Sequence, residues 1–293
     1  MGASGWLVEA AWPTELPVTS RECVHDLVVS VVLYGFAWRG FERGRGTARM
    51  RLAVASACLL GVPAALIEAA RGGVSEVTVA QMFALAPVAV VVLAPAFDLG
   101  RGYDTMRLLG PAAAGLAGVL LMLSFALPGS WREARLEAMV VLAVLLAAAA
   151  SVWMYRLLPG FSVVEAVLVC CVANAIFWLL AAAAMAVGGP FARGSRAWES
   201  GWTRGTLIAE SAKALLFDLP RIVLLLWLMR GVPPVRLAAR WLVVPLFTVI
   251  EGYVLLRPEV TVRSIAGAVL AGFGAWRLMT ADERGEEPRL VLR

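Results

Sequence analysis

The chain alternates between long apolar stretches and short polar breaks along its whole length. Each apolar stretch spans 15 to 25 residues, close to the about 20 residues that an α-helix needs to cross a bilayer. The breaks are rich in glycine, proline and arginine, which favour turns and helix ends. The pattern therefore predicts nine membrane-spanning helices. They fall near residues 24–38, 52–70, 77–97, 108–128, 136–155, 163–187, 207–229, 237–256 and 264–280.

The composition also indicates a membrane protein with several spans. Hydrophobic residues make up 61% of the chain and charged residues only 16%, whereas soluble domains average about 25% charged residues. The net charge of +5 comes almost entirely from arginines in short loops, so it does not indicate nucleic-acid binding. We therefore expect an all-α polytopic protein that is embedded in the lipid bilayer and has no nucleic-acid partner.

The arginines are distributed unevenly between the two sets of alternating loops. One set, together with the C-terminal tail, holds fifteen arginines, and the other set holds nine. Cytoplasmic loops of membrane proteins carry the excess of Lys and Arg. This bias predicts a multi-pass protein of the cytoplasmic membrane whose C-terminus, a polar tail over residues 281–293, lies in the cytoplasm.

Two parts of the chain resemble each other at an offset of 158 residues. "VSEVTVAQMFALAPVAVVV", which begins at Val74, matches "VPPVRLAARWLVVPLFTVI", and Pro87 coincides with Pro245. After one gap, "RLLGPAAAGLAG" (107–118) aligns with "RSIAGAVLAGFG" (263–274). The alignment predicts two halves of five spans each, and an odd number of spans inverts the second half. Inverted repeats are typical of secondary transporters, which bind substrate near the midplane between the repeats.

The repeat also places an additional helix at the start of the chain. The first repeat covers residues 1–130 and the second covers 131–280. Aligning "LPVTS" (16–20) with "LPGFS" (158–162) puts the start of the first helix about six residues before Met1. We interpret "MGASGWLVEAAWPTE" as the remaining part of this helix. The predicted fold is then a ten-helix bundle with an apparently truncated first helix.

The stretch "AESAKALLFDLPRIVLLLWLMR" places four charges inside one apolar span. These charged residues are Glu210, Lys213, Asp218 and Arg221. At 100° per residue they share one arc of about 140° on the helix. Charges at membrane depth usually face a bundle interior or a water-filled cavity, so we expect this face to bind substrate. Pro220 lies between the last two charges and predicts a helix kink, because proline removes a backbone hydrogen bond.

Structural interpretations of these charges stay open. Glu210 and Lys213 could form an interfacial pair with the lysine snorkelling towards water. Asp218 and Arg221 could form a purely structural ion pair near mid-depth, either with each other or with another helix.

Other polar residues also lie within the predicted spans. Glu251 and Gln81 are further candidates for the substrate cavity. Glu165 and Asn174 lie nine residues apart on one span, which predicts opposite faces of that helix.

The chain lacks the usual motifs of metal sites and enzymes. Its four cysteines lie in apolar segments without CxxC spacing, and His25 is its only histidine, so we expect no metal and no cofactor. It also contains no HExxH, GxSxG or P-loop motif, so we do not expect an enzyme.

These features together resemble the drug/metabolite transporter superfamily in its EamA-like branch. The resemblance is carried by "GASGWLVEAAWP", "LLGPAAAGLAGVLL" and, most specifically, "VVPLFTVIEGYVLLRPEVTVRSIAGAVLAGFGAWRLM". The last segment combines a proline-containing helix, a short acidic turn that ends in Thr261, and a glycine-rich helix. The resemblance implies ten helices in two inverted five-helix repeats and both termini in the cytoplasm. It also implies transport of small metabolites, often coupled to protons or by exchange.

We therefore expect a secondary transporter that moves a small organic metabolite or drug across the cytoplasmic membrane. Asp218 and Arg221 would hold opposite charges of the substrate, and Glu210, Asp218 or Glu251 would exchange protons. The alternatives are a membrane-embedded lipid-processing enzyme and an accessory subunit of a membrane complex. A homodimer is left open.

Overall fold

The computed structural model of the protein describes residues 16–37, 45–97, 105–123, 128–186, 202–256 and 261–281. Most of these residues are helical and none of them lies in a strand, which confirms the predicted all-α class. The first helix predicted within residues 1–15 lies outside the described residues. So does the predicted tail beyond Ala281.

The described helices follow the nine predicted spans in order. In the first part of the chain they are α1 (Val18–Ala37), α2 (Gly46–Ser56), α3 (Val62–Ala70), α4 (Glu76–Phe83), α5 (Ala86–Leu93) and α6 (Thr105–Met122). In the second part they are α7 (Trp131–Leu157), α8 (Val163–Ala186), α9 (Arg204–Lys213), α10 (Leu219–Gly231), α11 (Pro234–Ala238), α12 (Arg240–Leu256) and α13 (Val262–Met279). Two π turns, Ala57–Gly61 and Ala214–Asp218, join α2 to α3 and α9 to α10.

Several of these helical segments are long and apolar enough to cross a membrane. Five described segments meet both conditions: Gly46–Ala70, Glu76–Phe97, Trp131–Gly160, Val163–Ala184 and Pro234–Leu255. Each coincides with a predicted span. Helices of this length and hydropathy indicate a membrane-embedded protein.

The start of α1 differs from the prediction. The apolar pattern begins at residue 24 and places His25 at the end of a span, whereas α1 begins at Val18 and places His25 two turns inside the helix. The Arg21 backbone N–H already donates to the Pro17 carbonyl at 3.0 Å. The helical hydrogen bonds do not depend on apolar side chains, so the polar residues at its start hide this part of α1 from a hydropathy pattern.

A capping box fixes where α9 begins. The Thr203 hydroxyl accepts the Thr206 backbone N–H at 3.1 Å. In return, the Thr206 hydroxyl accepts the Thr203 N–H at 2.8 Å. This reciprocal arrangement satisfies two N–H groups that have no partner within the helix. It therefore stabilises the start of the helix that carries Glu210 and Lys213.

The described residues form two compact units, and each unit contains chain from both predicted repeats. The first unit contains residues 70–153 and 231–281, and the second contains residues 16–69 and 154–230. The boundary between the repeats near residue 130 stays a prediction, because it concerns the order of helices along the chain rather than their contacts.

Within the first unit, α6 and α13 pack through small residues. A Cβ added to Gly118 would lie 2.3 Å from the backbone nitrogen of Ala271, and one added to Gly274 would lie 2.6 Å from Cα of Gly115. The contacts advance along α6 as they move back along α13, so the two helices are antiparallel. These helices contain the segments that align in the sequence, and antiparallel equivalents are what an inverted repeat requires.

Candidate functional site

The four charged residues predicted to bind substrate lie on one interrupted helix of the second unit. The helix runs through α9, the π turn Ala214–Asp218 and α10. At the turn, the Leu219 N–H donates to the Ala214 carbonyl, five residues earlier instead of four. Pro220 follows, and its ring would collide with a carbonyl in a regular α-helix. The disruption expected at Pro220 therefore takes the form of a π turn just before it, a distortion frequent at functional sites.

A histidine of α1 connects the two carboxylates of this helix. His25 Nδ1 lies 2.6 Å from Asp218 Oδ2, and His25 Nε2 lies 2.9 Å from Glu210 Oε2. The ring is buried and bridges about two turns of the neighbouring helix. This role of His25 was not predicted from the sequence, where a single histidine bears only on metal binding. An available signal was a lone histidine beside Asp26 in an otherwise apolar span.

The lysine of the cluster is also buried. Lys213 Nζ donates to Glu210 Oε1 at 3.0 Å, so Glu210 uses one oxygen for the lysine and the other for His25. The Lys213 and Glu210 side chains are only 10% and 3% exposed. The pair of Glu210 and Lys213 that the sequence left open is therefore present, but the ammonium group turns towards a buried carboxylate instead of snorkelling to water.

Arg221 is the exposed member of the group. Its Nη1 lies 3.9 Å from Asp218 Oδ1, and its side chain is 66% exposed. The close partner of Asp218 is thus His25 rather than Arg221, and the guanidinium stays accessible. An accessible guanidinium can bind a carboxylate or phosphate through two parallel hydrogen bonds. We call His25, Glu210, Lys213, Asp218 and Arg221 the His25 cluster.

Helix α8 borders the His25 cluster. The Cys171 thiol lies near the carboxyl group of Asp26, the residue next to His25. The Cys23 thiol also points to the Ala175 carbonyl, 3.9 Å away. These contacts hold α1 and α8 together beside the ring of His25. The cysteines of the apolar segments therefore include Cys23 and Cys171, whose thiols have polar neighbours.

The π turn of α9 and α10 has a counterpart at the matching place in the other predicted repeat. Between α2 and α3, the Val62 N–H donates to the Ala57 carbonyl, five residues earlier, and Pro63 follows. The two π turns are 157 residues apart, and so are the prolines that follow them. The counterpart carries no charge in the turn. The turn packs closely against α8, because a Cβ added to Gly61, its last residue, would lie 2.7 Å from the Phe177 ring.

Two polar residues of α8 contact α2. Glu165 Oε1 lies 2.8 Å from Arg49 Nη2, and Asn174 Nδ2 donates to Ser56 Oγ at 2.9 Å. Glu165 and Asn174, predicted to lie on opposite faces of their helix, therefore both contact α2. Glu165 lies in the first turn of α8.

The two remaining candidates, Gln81 and Glu251, lie in the first unit. Gln81 is buried, and its amide nitrogen donates to the Leu123 carbonyl at 3.1 Å, which links α4 to the end of α6. Glu251 is half-buried on α12. Their place in a substrate cavity stays a prediction.

The described residues contain no group of three or more His, Cys, Asp or Glu side chains arranged to hold a metal ion. Glu210 and Asp218 lie at different nitrogens of the His25 ring instead of converging on one point. The geometry of the cluster is therefore that of a chain of hydrogen bonds.

Comparisons with known proteins show the fold alone. No family model matches this sequence, and no curated protein matches it. One solved structure, described only as "Crystal structure of protein", is similar to this chain with a TM-score of 0.70 and 15% sequence identity. The similarity covers 95% of this chain and 93% of that one.

Proposed function

We propose that this protein is a secondary transporter that moves a small organic solute across the cytoplasmic membrane. The observation that carries the proposal is the His25 cluster, in which His25, Glu210 and Lys213 are buried among apolar helices. Removing a charge from water costs several kcal/mol per ion, so a bundle that needed only to fold would use apolar residues there. Ionisable groups inside membrane helices mark solute or ion pathways by default.

The backbone around the cluster supports the same proposal. Interrupted helices build the binding sites of many transporters, because their backbone and side chains can face a solute. Here the interrupted helix carries the charges, and a second interrupted helix lies at the matching position of the sequence. The antiparallel packing of α6 and α13 adds a further pair of equivalent elements. We therefore propose ten helices in two inverted repeats of the EamA-like drug/metabolite transporter type.

The exposed part of the His25 cluster indicates the class of solute. Arg221 offers an accessible cation, and Asp218 Oδ1, which lies on the side of the carboxylate away from His25, faces it at 3.9 Å. A solute with one acidic and one basic group, such as a zwitterionic metabolite, could insert between these two side chains. A neutral hydrophobic compound would leave both charges without a partner.

Transport by the purified protein tests this function. Cells with and without the protein are first compared for metabolites that accumulate or leave, and the selected labelled solute is then followed in proteoliposomes. We expect Arg221→Leu to lower the transport rate at least about tenfold, as the loss of one charged hydrogen bond predicts, without lowering the amount of folded protein. Arg230→Leu is the matched control, because Arg230 is an exposed arginine on the opposite face of the same helix.

Three outcomes would contradict the proposal in different ways. If no solute moves, transport itself is wrong. If lipid-linked substrates are converted without vectorial movement, the protein is an enzyme. If Asp218→Asn and Arg221→Leu each abolish transport but their combination restores it, the two residues only neutralise each other.

The proposed membrane orientation has its own test. The arginine bias predicts a cytoplasmic C-terminus. A C-terminal fluorescent reporter that folds only in the cytoplasm should therefore be bright, and a C-terminal phosphatase active only outside should be silent. The opposite pattern would show that the orientation is inverted, whatever the protein transports.

A further inference from the structure

The His25 ring contacts two carboxylates through its two nitrogens. A neutral imidazole has one N–H donor and one acceptor lone pair, whereas an imidazolium has two donors. If Glu210 and Asp218 are both ionised, each ring nitrogen needs a proton to contact its carboxylate at 2.9 Å and 2.6 Å. A neutral ring would set a nitrogen lone pair against a carboxylate lone pair. The geometry therefore requires one proton beyond those of a neutral histidine.

The charges around the ring are consistent with an imidazolium. The titratable and charged groups that face it come from α1 itself, from α9 to α10 and from α8. They are Asp26, Glu210, Lys213, Asp218, Arg221, Cys170, Cys171 and Glu22. Of these, Glu22 pairs with Arg21. Among the groups in direct contact with the ring or with each other, the carboxylates of Glu210 and Asp218 accompany one ammonium group, that of Lys213. A positive ring makes this inner group neutral, as burial favours.

We propose that His25 is the proton-binding residue of the transporter and that the second proton on its ring is the coupling ion. This inference rests on the proposed function and names the ion for that same site. Glu210 and Asp218 hold the imidazolium in place, and Lys213 balances the second carboxylate.

Loss of the proton changes the contacts between helices. Once one ring nitrogen is bare, its hydrogen bond to Glu210 or to Asp218 breaks. Loss of the bond to Glu210 releases α1 from α9. Loss of the bond to Asp218 releases α1 from the π turn that carries Asp218. Since the other oxygen of the same carboxylate, Asp218 Oδ1, is the one nearest Arg221, a change at the ring reaches the part of the cluster proposed to bind solute. Proton binding and solute binding thereby share one carboxylate.

The single histidine allows a direct measurement. Because His25 is the only histidine in the chain, full-length protein labelled with ¹⁵N-histidine and purified through a histidine-free tag reports this ring alone. We expect solid-state NMR in lipid bilayers at about pH 7, within the range where histidine charge changes, to show both ring nitrogens protonated. A wild-type ring with only one protonated nitrogen would overturn the proposal.

Two amide variants should give opposite neutral tautomers. In Asp218→Asn, the new amide donates to Nδ1, so only Nε2 keeps its proton. In Glu210→Gln, the amide oxygen can still accept from Lys213 while the amide nitrogen donates to Nε2, so only Nδ1 keeps its proton. Glu22→Gln removes a carboxylate of α1 that pairs with Arg21, and both nitrogens should stay protonated. Two protonated nitrogens in all three variants would mean that these carboxylates do not hold the proton.

A flux measurement tests the coupling. Wild-type proteoliposomes should accumulate the labelled solute, selected by comparing cells with and without the protein, several-fold under a pH gradient. The His25→Gln variant should still move the solute, but only until its concentrations inside and outside the proteoliposomes are equal. Wild-type accumulation that ignores the pH gradient would overturn the coupling while leaving transport intact. A doubly protonated ring without transport of any solute would instead reject the proposed function.

Discussion

Glu210→Leu should destabilise the protein by about 3–5 kcal/mol, the cost typical of removing one partner of a buried ion pair. The leucine removes the carboxylate that Lys213 Nζ and His25 Nε2 contact at 3.0 Å and 2.9 Å. The Lys213 ammonium group and the His25 ring then stay buried without this carboxylate. Reversible unfolding in mixed micelles, followed by tryptophan fluorescence, measures the change in the free energy of unfolding.

Two companion variants separate the loss of charge from the loss of shape. Glu210→Gln keeps the size of the side chain and a polar partner for each neighbour, so it should cost only about 1 kcal/mol. The double variant Glu210→Leu with Lys213→Leu removes the pair together and should regain most of the loss, since apolar replacement of a whole buried pair is often neutral. A double variant as unstable as Glu210→Leu alone would show that the pair does not act as a unit.

Gly267→Ala should destabilise the first unit by about 3 kcal/mol, at the upper end of the cost of overpacking a well-packed contact. A Cβ at this position would lie 2.6 Å from the Met122 backbone nitrogen and 2.7 Å from the Gly118 carbonyl oxygen. Backbone atoms cannot rotate away as a side chain can, so α6 and α13 must separate. The same unfolding measurement applies.

Gly272→Ala is the matched control on the same helix. The nearest atom to a Cβ there is a Leu246 methyl group at 3.9 Å, an ordinary contact. This change should leave stability unchanged or raise it by up to about 1 kcal/mol, because alanine favours a helix interior more than glycine does. Equal effects of the two substitutions would mean that the close approach of α6 and α13 does not contribute to stability.

Much of the helical framework could be predicted because it depends on local patterns. Each apolar stretch of sufficient length gives a helix, since backbone polar groups in a membrane must be satisfied within the segment. That the four charges lie on one helical segment follows from their positions within one apolar stretch. Matching prolines and glycines predict the repeat, and Pro220 indicated the place where regular hydrogen bonding stops.

The partners of the charges could not be predicted in this way. Helix periodicity pairs Asp218 with Arg221, three residues on, because it compares only neighbours on one helix. The structure gives Asp218 a closer partner on α1, 193 residues away in sequence. The apolar pattern also placed His25 at a helix end, where a histidine would meet water rather than a buried carboxylate.

The sequence by itself determined an apolar, all-helical chain with one charged helix, since hydropathy and periodicity are properties of consecutive residues. Only the tertiary structure decided that His25 joins Glu210 to Asp218, that Lys213 is buried and that Arg221 is exposed. The physical reason is that a hydrogen bond depends on distances of about 3 Å between atoms. Such distances between helices are set by how the helices pack. The periodicity within one helix gives no information about that packing.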